Sequence, residues 1–228
     1  MVVPNKKKFI RICFYLQPLI FYGVVYRFLP ILSQLIIKNL NLSLFNDSIS
    51  WLINIFICYL GPIFVGYYIY SKKIFFDRLT IKNLVITFLL GILTIYTFYW
   101  TFNNISFSSS SNQKSVNSTL TNPSNFAIQL QILKTVVLAP FLEEIFFRGV
   151  LMKTYFKNSK FGFDIVISSL LFGLAHSHND FFEVIPYIAF GIGLSLIFKI
   201  TNKLQYSLMI HVVNNAISSW ELISIYIL

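Results

Sequence analysis

Leu84–Phe102 reads LVITFLLGILTIYTFYWTF, 19 residues without a charge, and its length decides the fold class. At about 1.5 Å of rise per residue, such a helix covers most of a hydrocarbon core roughly 30 Å thick. Ile49–Tyr70 repeats the pattern over 22 uncharged residues. Working outward, Ile12–Tyr26 is shorter, but Arg11 and Arg27 at its ends can snorkel to the interfaces. No small-residue cleavage site follows it, so it reads as an uncleaved anchor. Ile31–Ile37 reads as an interfacial stretch between Pro30 and Lys38. Further spans are expected from Phe126 to about Tyr155, and over Phe163–Ser177, Val184–Phe198 and Leu204–Trp220. The tail Leu222–Leu228 is too short to cross again. The expectation is an all-α, polytopic transmembrane helical bundle of about seven spans in a single membrane domain, 1–228.

Composition agrees. Hydrophobic residues make up 56% of the chain and charged residues 11%, against roughly 45–50% and 25% in soluble domains. The mean hydropathy of +0.71 excludes a disordered chain and an ordinary soluble domain. Cys13 and Cys58 both sit in apolar runs, which points to neither a disulfide framework nor a zinc–cysteine site.

The net charge of +10 has a topological explanation. Lys6, Lys7, Lys8 and Arg11 precede the first span, and Lys72, Lys73, Arg78 and Lys82 lie between the second and third. Lys153, Lys157 and Lys160 follow the fourth span, and Lys199 and Lys203 the sixth. Alternating spans put all four groups on one side, which the positive-inside rule makes the cytoplasm, together with the N-terminus. Contact with anionic membrane lipids suits these groups, and nucleic acid binding is not required. Residues 103–125, NNISFSSSSNQKSVNSTLTNPSN, cannot bury a core and read as a polar non-cytoplasmic loop. The loop divides N-terminal anchoring helices (1–102) from a second helical group (126–220).

Charges at membrane depth are costly and mark function by default. Pro140-Phe-Leu-Glu143-Glu144-Ile-Phe-Phe-Arg148-Gly149 holds three. Glu144 and Arg148, at i and i+4, can pair. Glu143 points about 100° away and stays available as a general base or acid. A solvated helix end at the interface is the plainer reading of the same stretch. His176 closes Phe172-Gly-Leu-Ala-His176, ahead of Ser177-His178-Asn179-Asp180. A hairpin turning near Ser159–Lys160 puts His176 and Glu143 at nearly equal depth. His211 and Asn215 share a face in the last span, where interhelical hydrogen bonding is the plainer reading. Together, one carboxylate, two imidazoles and a carboxamide can deprotonate water and stabilise an oxyanion. They could equally hold a divalent metal such as zinc, with Glu143, His176 and His211 as ligands. The helical H-E-x-x-H motif is absent.

In this order, Glu143-Glu144-x-x-x-Arg148, Phe172-x-x-x-His176 and His211-x-x-x-Asn215 resemble the motifs of the CAAX protease and bacteriocin-processing family (CPBP, or Abi), intramembrane proteases related to CAAX prenyl endopeptidases. Tyr187-x-x-x-Gly191 is similar to a weaker element of that family. The match runs from about Pro140 to Asn215. The resemblance implies an intramembrane endopeptidase acting on membrane-associated peptides or proteins. Glu143 and His176 would activate water, and His211 and Asn215 would stabilise the oxyanion. Glu144 and Arg148 would hold the motif helix, with Phe172, Tyr187 and Gly191 as further structural support. Family members are described both as metalloproteases and as metal-independent glutamate proteases. Asn215 suits an oxyanion donor better than a zinc ligand, which leans toward no cofactor.

The Ile-, Asn-, Lys- and Phe-rich composition is that of an AT-rich bacterial genome, and the implied place is the plasma membrane. A prenylated substrate does not fit a bacterium. Peptide maturation, bacteriocin immunity or clipping of a membrane-bound regulator remain. The competing reading is a non-catalytic membrane immunity or sensor-binding protein that keeps the protease fold. A small transporter with a proton relay would need two pseudo-symmetric halves, whereas the polar residues here crowd into one.

Overall fold

The computed structural model describes residues 28–39, 47–60, 78–105, 125–156, 162–176 and 181–228, with Val24, Ile63 and Ser159 besides. These residues are mostly helical, and no strand occurs among them. The first expected span, the second half of Ile49–Tyr70, most of the polar loop and His178 lie outside the described residues. In chain order the helices are α1 (Leu29–Asn39), α2 (Asp47–Ile55, continued by a π-helical turn at Phe56–Leu60) and α3 (Ile81–Ile105). A long compound helix follows, α4, built from Asn125–Leu133, π-helical Lys134–Leu138, Ala139–Glu144 and π-helical Ile145–Tyr155. Then come α5 (Phe163–His176), α6 (Phe181–Thr201), α7 (Leu204–Ser218) and the short α8 (Trp220–Tyr226).

Two of these helices, Ile81–Ile105 and Phe182–Thr201, are long and apolar enough to cross a membrane among the described residues. The first is turned inside out relative to a soluble helix. Val85, Phe88, Leu89, Ile92, Leu93, Tyr96 and Trp100 are exposed along one face, whereas Thr87, Gly91, Thr94 and Phe98 are buried on the other. Such a continuous apolar face suits lipid, not water. Small residues on the inner face let helices approach closely. At Gly193 of α6 a Cβ would collide with the Thr94 side chain.

α6 is the centre of the second half, packed against α3, α5 and α7. The core around it joins Phe98, Phe146, Phe147, Val150, Leu151, Phe172, Phe190, Leu194 and Leu204. α7 also packs on the Ala139–Glu144 segment of α4. The ends are tied by polar contacts. The backbone N–H of Thr80 donates to the Tyr206 hydroxyl at 3.1 Å, and Lys199 of α6 pairs with buried Asp164 of α5. Asn202, at φ 56°, makes the sharp turn from α6 into α7.

Several boundaries differ from expectation. α3 runs through Asn103 and Asn104, and the Asn104 side chain donates to the Trp100 carbonyl at 2.7 Å. The residues between Ile31 and Ile37 belong to a helix that starts at Leu29 and ends at Asn39. The last apolar stretch breaks at Ser219, whose N–H reaches the Asn215 carbonyl at 3.0 Å, and Trp220 opens a separate helix.

Candidate active site

The acidic motif sits where α4 changes winding. In the Lys134–Leu138 turn the Ala139 N–H bonds the Lys134 carbonyl, five residues back. The next donor in that register would be residue 140, which is proline and has no N–H. The Thr135 carbonyl is thereby left open, and the Asn215 side chain of α7 donates to it at 2.9 Å. A sequence feature that breaks one backbone bond thus creates the point where two helices are fastened. Past Glu144 the winding widens again, over Ile145–Tyr155. Wide turns of this kind are rare and concentrate at functional sites.

Glu144 and Arg148 are completely buried and pair at 2.7 Å. The expected pair is one part of a larger cluster. The other Glu144 oxygen accepts from the Ser207 hydroxyl at 2.7 Å, and His211 Nδ1 lies 3.0 Å from Glu144 Oε1. Arg148 also donates to the Gly191 carbonyl at 3.1 Å. Its guanidinium carbon lies 5.2 Å from the centre of the Phe172 ring. A Cβ at Gly191 would lie 3.1 Å from the Ser169 backbone, so a side chain there would press α6 and α5 apart by a few tenths of an ångström. Glu144 and Arg148 therefore join α4, α6 and α7 through hydrogen bonds, and Phe172 adds α5 by ring contact.

Glu143 is set apart from this network. Its Oε2 lies 3.4 Å from His176 Nε2 and 3.6 Å from His211 Nε2. That oxygen has no hydrogen-bond partner among the described residues. His176 Nδ1 is 2.8 Å from the Phe172 carbonyl. A carbonyl only accepts, so this nitrogen carries the proton and Nε2 faces Glu143. The ring is held between Phe172, 4.3 Å away, and Tyr187, stacked at 4.9 Å and 19°. His211 is fixed in the same manner, Nδ1 toward Glu144 and Nε2 toward Glu143, with Phe190 edge-on at 5.4 Å. Both imidazoles thus turn the same nitrogen toward one carboxylate oxygen.

The cluster contains two carboxylates against one guanidinium. Among the described residues, no group of three or more His, Cys, Asp or Glu side chains is placed to hold a metal ion. Glu143, His176 and His211, named above as a ligand set, do not form such a group, and Glu144 already takes its own three donors.

The family comparison falls on the same part of the chain. A family model described as "Type II CAAX prenyl endopeptidase Rce1-like" matches residues 125–217. The matched stretch contains Glu143, Glu144, Arg148, His176, His211 and Asn215. The chain is 28% identical over 89 residues to a Bacillus subtilis protein named "Putative membrane peptidase YdiL", an alignment that covers 39% of this chain and 36% of the relative. It is 27% identical over 173 residues to "UPF0177 protein YaiH" of Lactococcus lactis, covering 75% of this chain and 68% of that protein. The chain thus spans only about a third of the length of the Bacillus relative. No solved structure matches.

Of the residues singled out above, Glu143, His176 and His211 meet at one point, and Glu144, Arg148 and Gly191 form the support beside it. Phe172 and Tyr187 hold the His176 ring, and Asn215 is fastened to α4. Ser207 and the Thr135 carbonyl were not foreseen. A serine one turn before His211 on the same face was the signal for the first, and Pro140 for the second. Lys134 and Tyr59 form a further contact, with the ammonium 5.8 Å from the ring centre. It brings α2, outside the matched region, against α4.

Proposed function

We propose that the protein is a multi-pass membrane endopeptidase that hydrolyses peptide bonds of membrane-associated peptides or proteins. The observation that carries this reading is the pair of imidazole Nε2 atoms at 3.4 and 3.6 Å from one Glu143 oxygen. In the proposed reaction a water enters beside Glu143, which takes its proton with help from His176. The hydroxide attacks the scissile carbonyl carbon, and the carbonyl oxygen becomes an oxyanion. His211 and the second N–H of the Asn215 amide stabilise that charge. The C–N bond then breaks, Glu143 returns the proton to the leaving amine, and an acid and an amine are released. Glu144, Arg148 and Ser207 hold His211 and the motif helix in place through these steps.

The Rce1-like match and the Bacillus relative's printed name support a peptidase. The apolar outer face of α3 supports a membrane setting. The remaining features are part of the same proposal. About seven spans cross a bacterial plasma membrane, with the N-terminus and basic turns toward the cytoplasm and anionic lipids. Residues 1–105 anchor the chain, 106–124 form the outer loop, and 125–220 carry the chemistry. The test is cleavage of membrane-anchored reporter peptides by the purified protein in vesicles, with and without chelator. Wild type should cut in both conditions, and Glu143→Gln and His176→Ala should not while still accumulating in the membrane. Equal effects of wild type and both variants in cells would favour a non-catalytic binding protein on the same fold.

A further inference from the structure

Asn214 lies one turn beyond His211 on α7. Only 4% of it is exposed, and its Oδ1 has no hydrogen-bond partner among the described residues. Buried amide oxygens are nearly always paired, so an open one asks for a ligand or a reason. Glu143 Oε2 is in the same condition. The two neighbouring carboxamides differ. The Asn215 amide is turned toward α4, at the Thr135 carbonyl. Asn214, about 100° around the helix, shares the face of Ile210 and Ser218, four residues to either side, both of which meet α3. Its level is fixed by two contacts on that side, Ile210 packing over Gly91 and the Ser218 hydroxyl 2.9 Å from the Tyr99 hydroxyl. Asn214 is midway between them.

The wall on this side is aromatic. Phe98 meets Tyr187 at 5.6 Å and Phe190 at 5.4 Å, and those rings in turn hold His176 and His211. Phe98 and Phe190 satisfy apolar chain but offer a carboxamide oxygen no hydrogen-bond donor. A peptide does. In a membrane a peptide keeps its N–H groups paired by staying helical, and cutting it requires local unwinding that frees them. We infer that Asn214 is a substrate-binding residue whose Oδ1 accepts a backbone N–H of the peptide beside the scissile bond. The matching substrate class is a membrane-anchored peptide with an extended or easily unwound, glycine-containing segment at the cut. This inference rests on the endopeptidase reading of the same site.

The experiment uses the full-length protein in phosphatidylcholine–phosphatidylglycerol vesicles. Its probe is a reporter with one apolar helix, a glycine-containing extended segment and a fluorophore–quencher pair. After the cut is mapped by mass spectrometry, single backbone amides around it are replaced by esters, which removes one N–H each. Asn214→Leu should lower kcat/KM about 10- to 100-fold, mostly through KM, a loss of the size expected for one buried hydrogen bond. Its unfolding temperature should hold or rise, because an open acceptor is removed; a merely structural asparagine would lower it. One ester should cost wild type the same factor and cost Asn214→Leu nothing more. Wild-type kcat/KM in Asn214→Leu, additive losses, or an ester series without effect on wild type would each overturn the inference. Loss of activity in Glu143→Gln alongside such a result would leave the endopeptidase reading standing. If wild type cuts no reporter, both fall together.

Discussion

α3 and the Ala139–Tyr155 part of α4 are both apolar helices of one bundle, yet they are built in opposite ways. α3 turns its large apolar side chains outward and keeps Thr87, Gly91, Thr94 and Phe98 inside. The α4 segment encloses nearly everything, including Glu144 and Arg148 at zero exposure. The difference follows from what each must satisfy. α3 carries no charged side chain after Lys82, so its outer face can meet lipid. Ions on α4 can exist at that depth only with partners from several helices, so α4 must be surrounded.

The comparison breaks most readily at Arg148. Arg148→Ala leaves Glu144 buried without its cation and should destabilise the protein by about 3–5 kcal/mol. The check is thermal unfolding in detergent micelles, where an unchanged midpoint would show the pair to be dispensable. Asn215→Ala uncovers the Thr135 carbonyl and should cost about 1–3 kcal/mol, with a loss of turnover from the loosened α7. Leu89→Ala on the outer face of α3 should change stability by no more than about 0.5 kcal/mol. A larger loss would mean that this face is packed against protein and not lipid.

The same contrast explains how much was legible in the sequence. Uncharged runs announce helices directly, and Leu84–Phe102 lies wholly within the helix found. The i, i+4 rule gave Glu144–Arg148, and the hairpin distance from Glu143 to His176 brought those two together at 3.4 Å. The partners of Ser207 and of the Gly191 carbonyl were hidden, because each is brought in by tertiary packing. Asn215 and Asn214 show the limit best. One position apart, they are equal by residue type, and only Pro140 and the register on α3 distinguish the amide that fastens α7 from the one left open.

The central claim is that two adjacent carboxylates do different work, Glu144 holding the bundle and Glu143 doing the chemistry. It is tested most directly by comparing Glu143→Gln and Glu144→Gln for unfolding temperature and reporter cleavage in the same vesicles. The account predicts that Glu143→Gln keeps the wild-type unfolding temperature and loses cleavage, while Glu144→Gln unfolds at a clearly lower temperature. Wild-type cleavage by Glu143→Gln would contradict it.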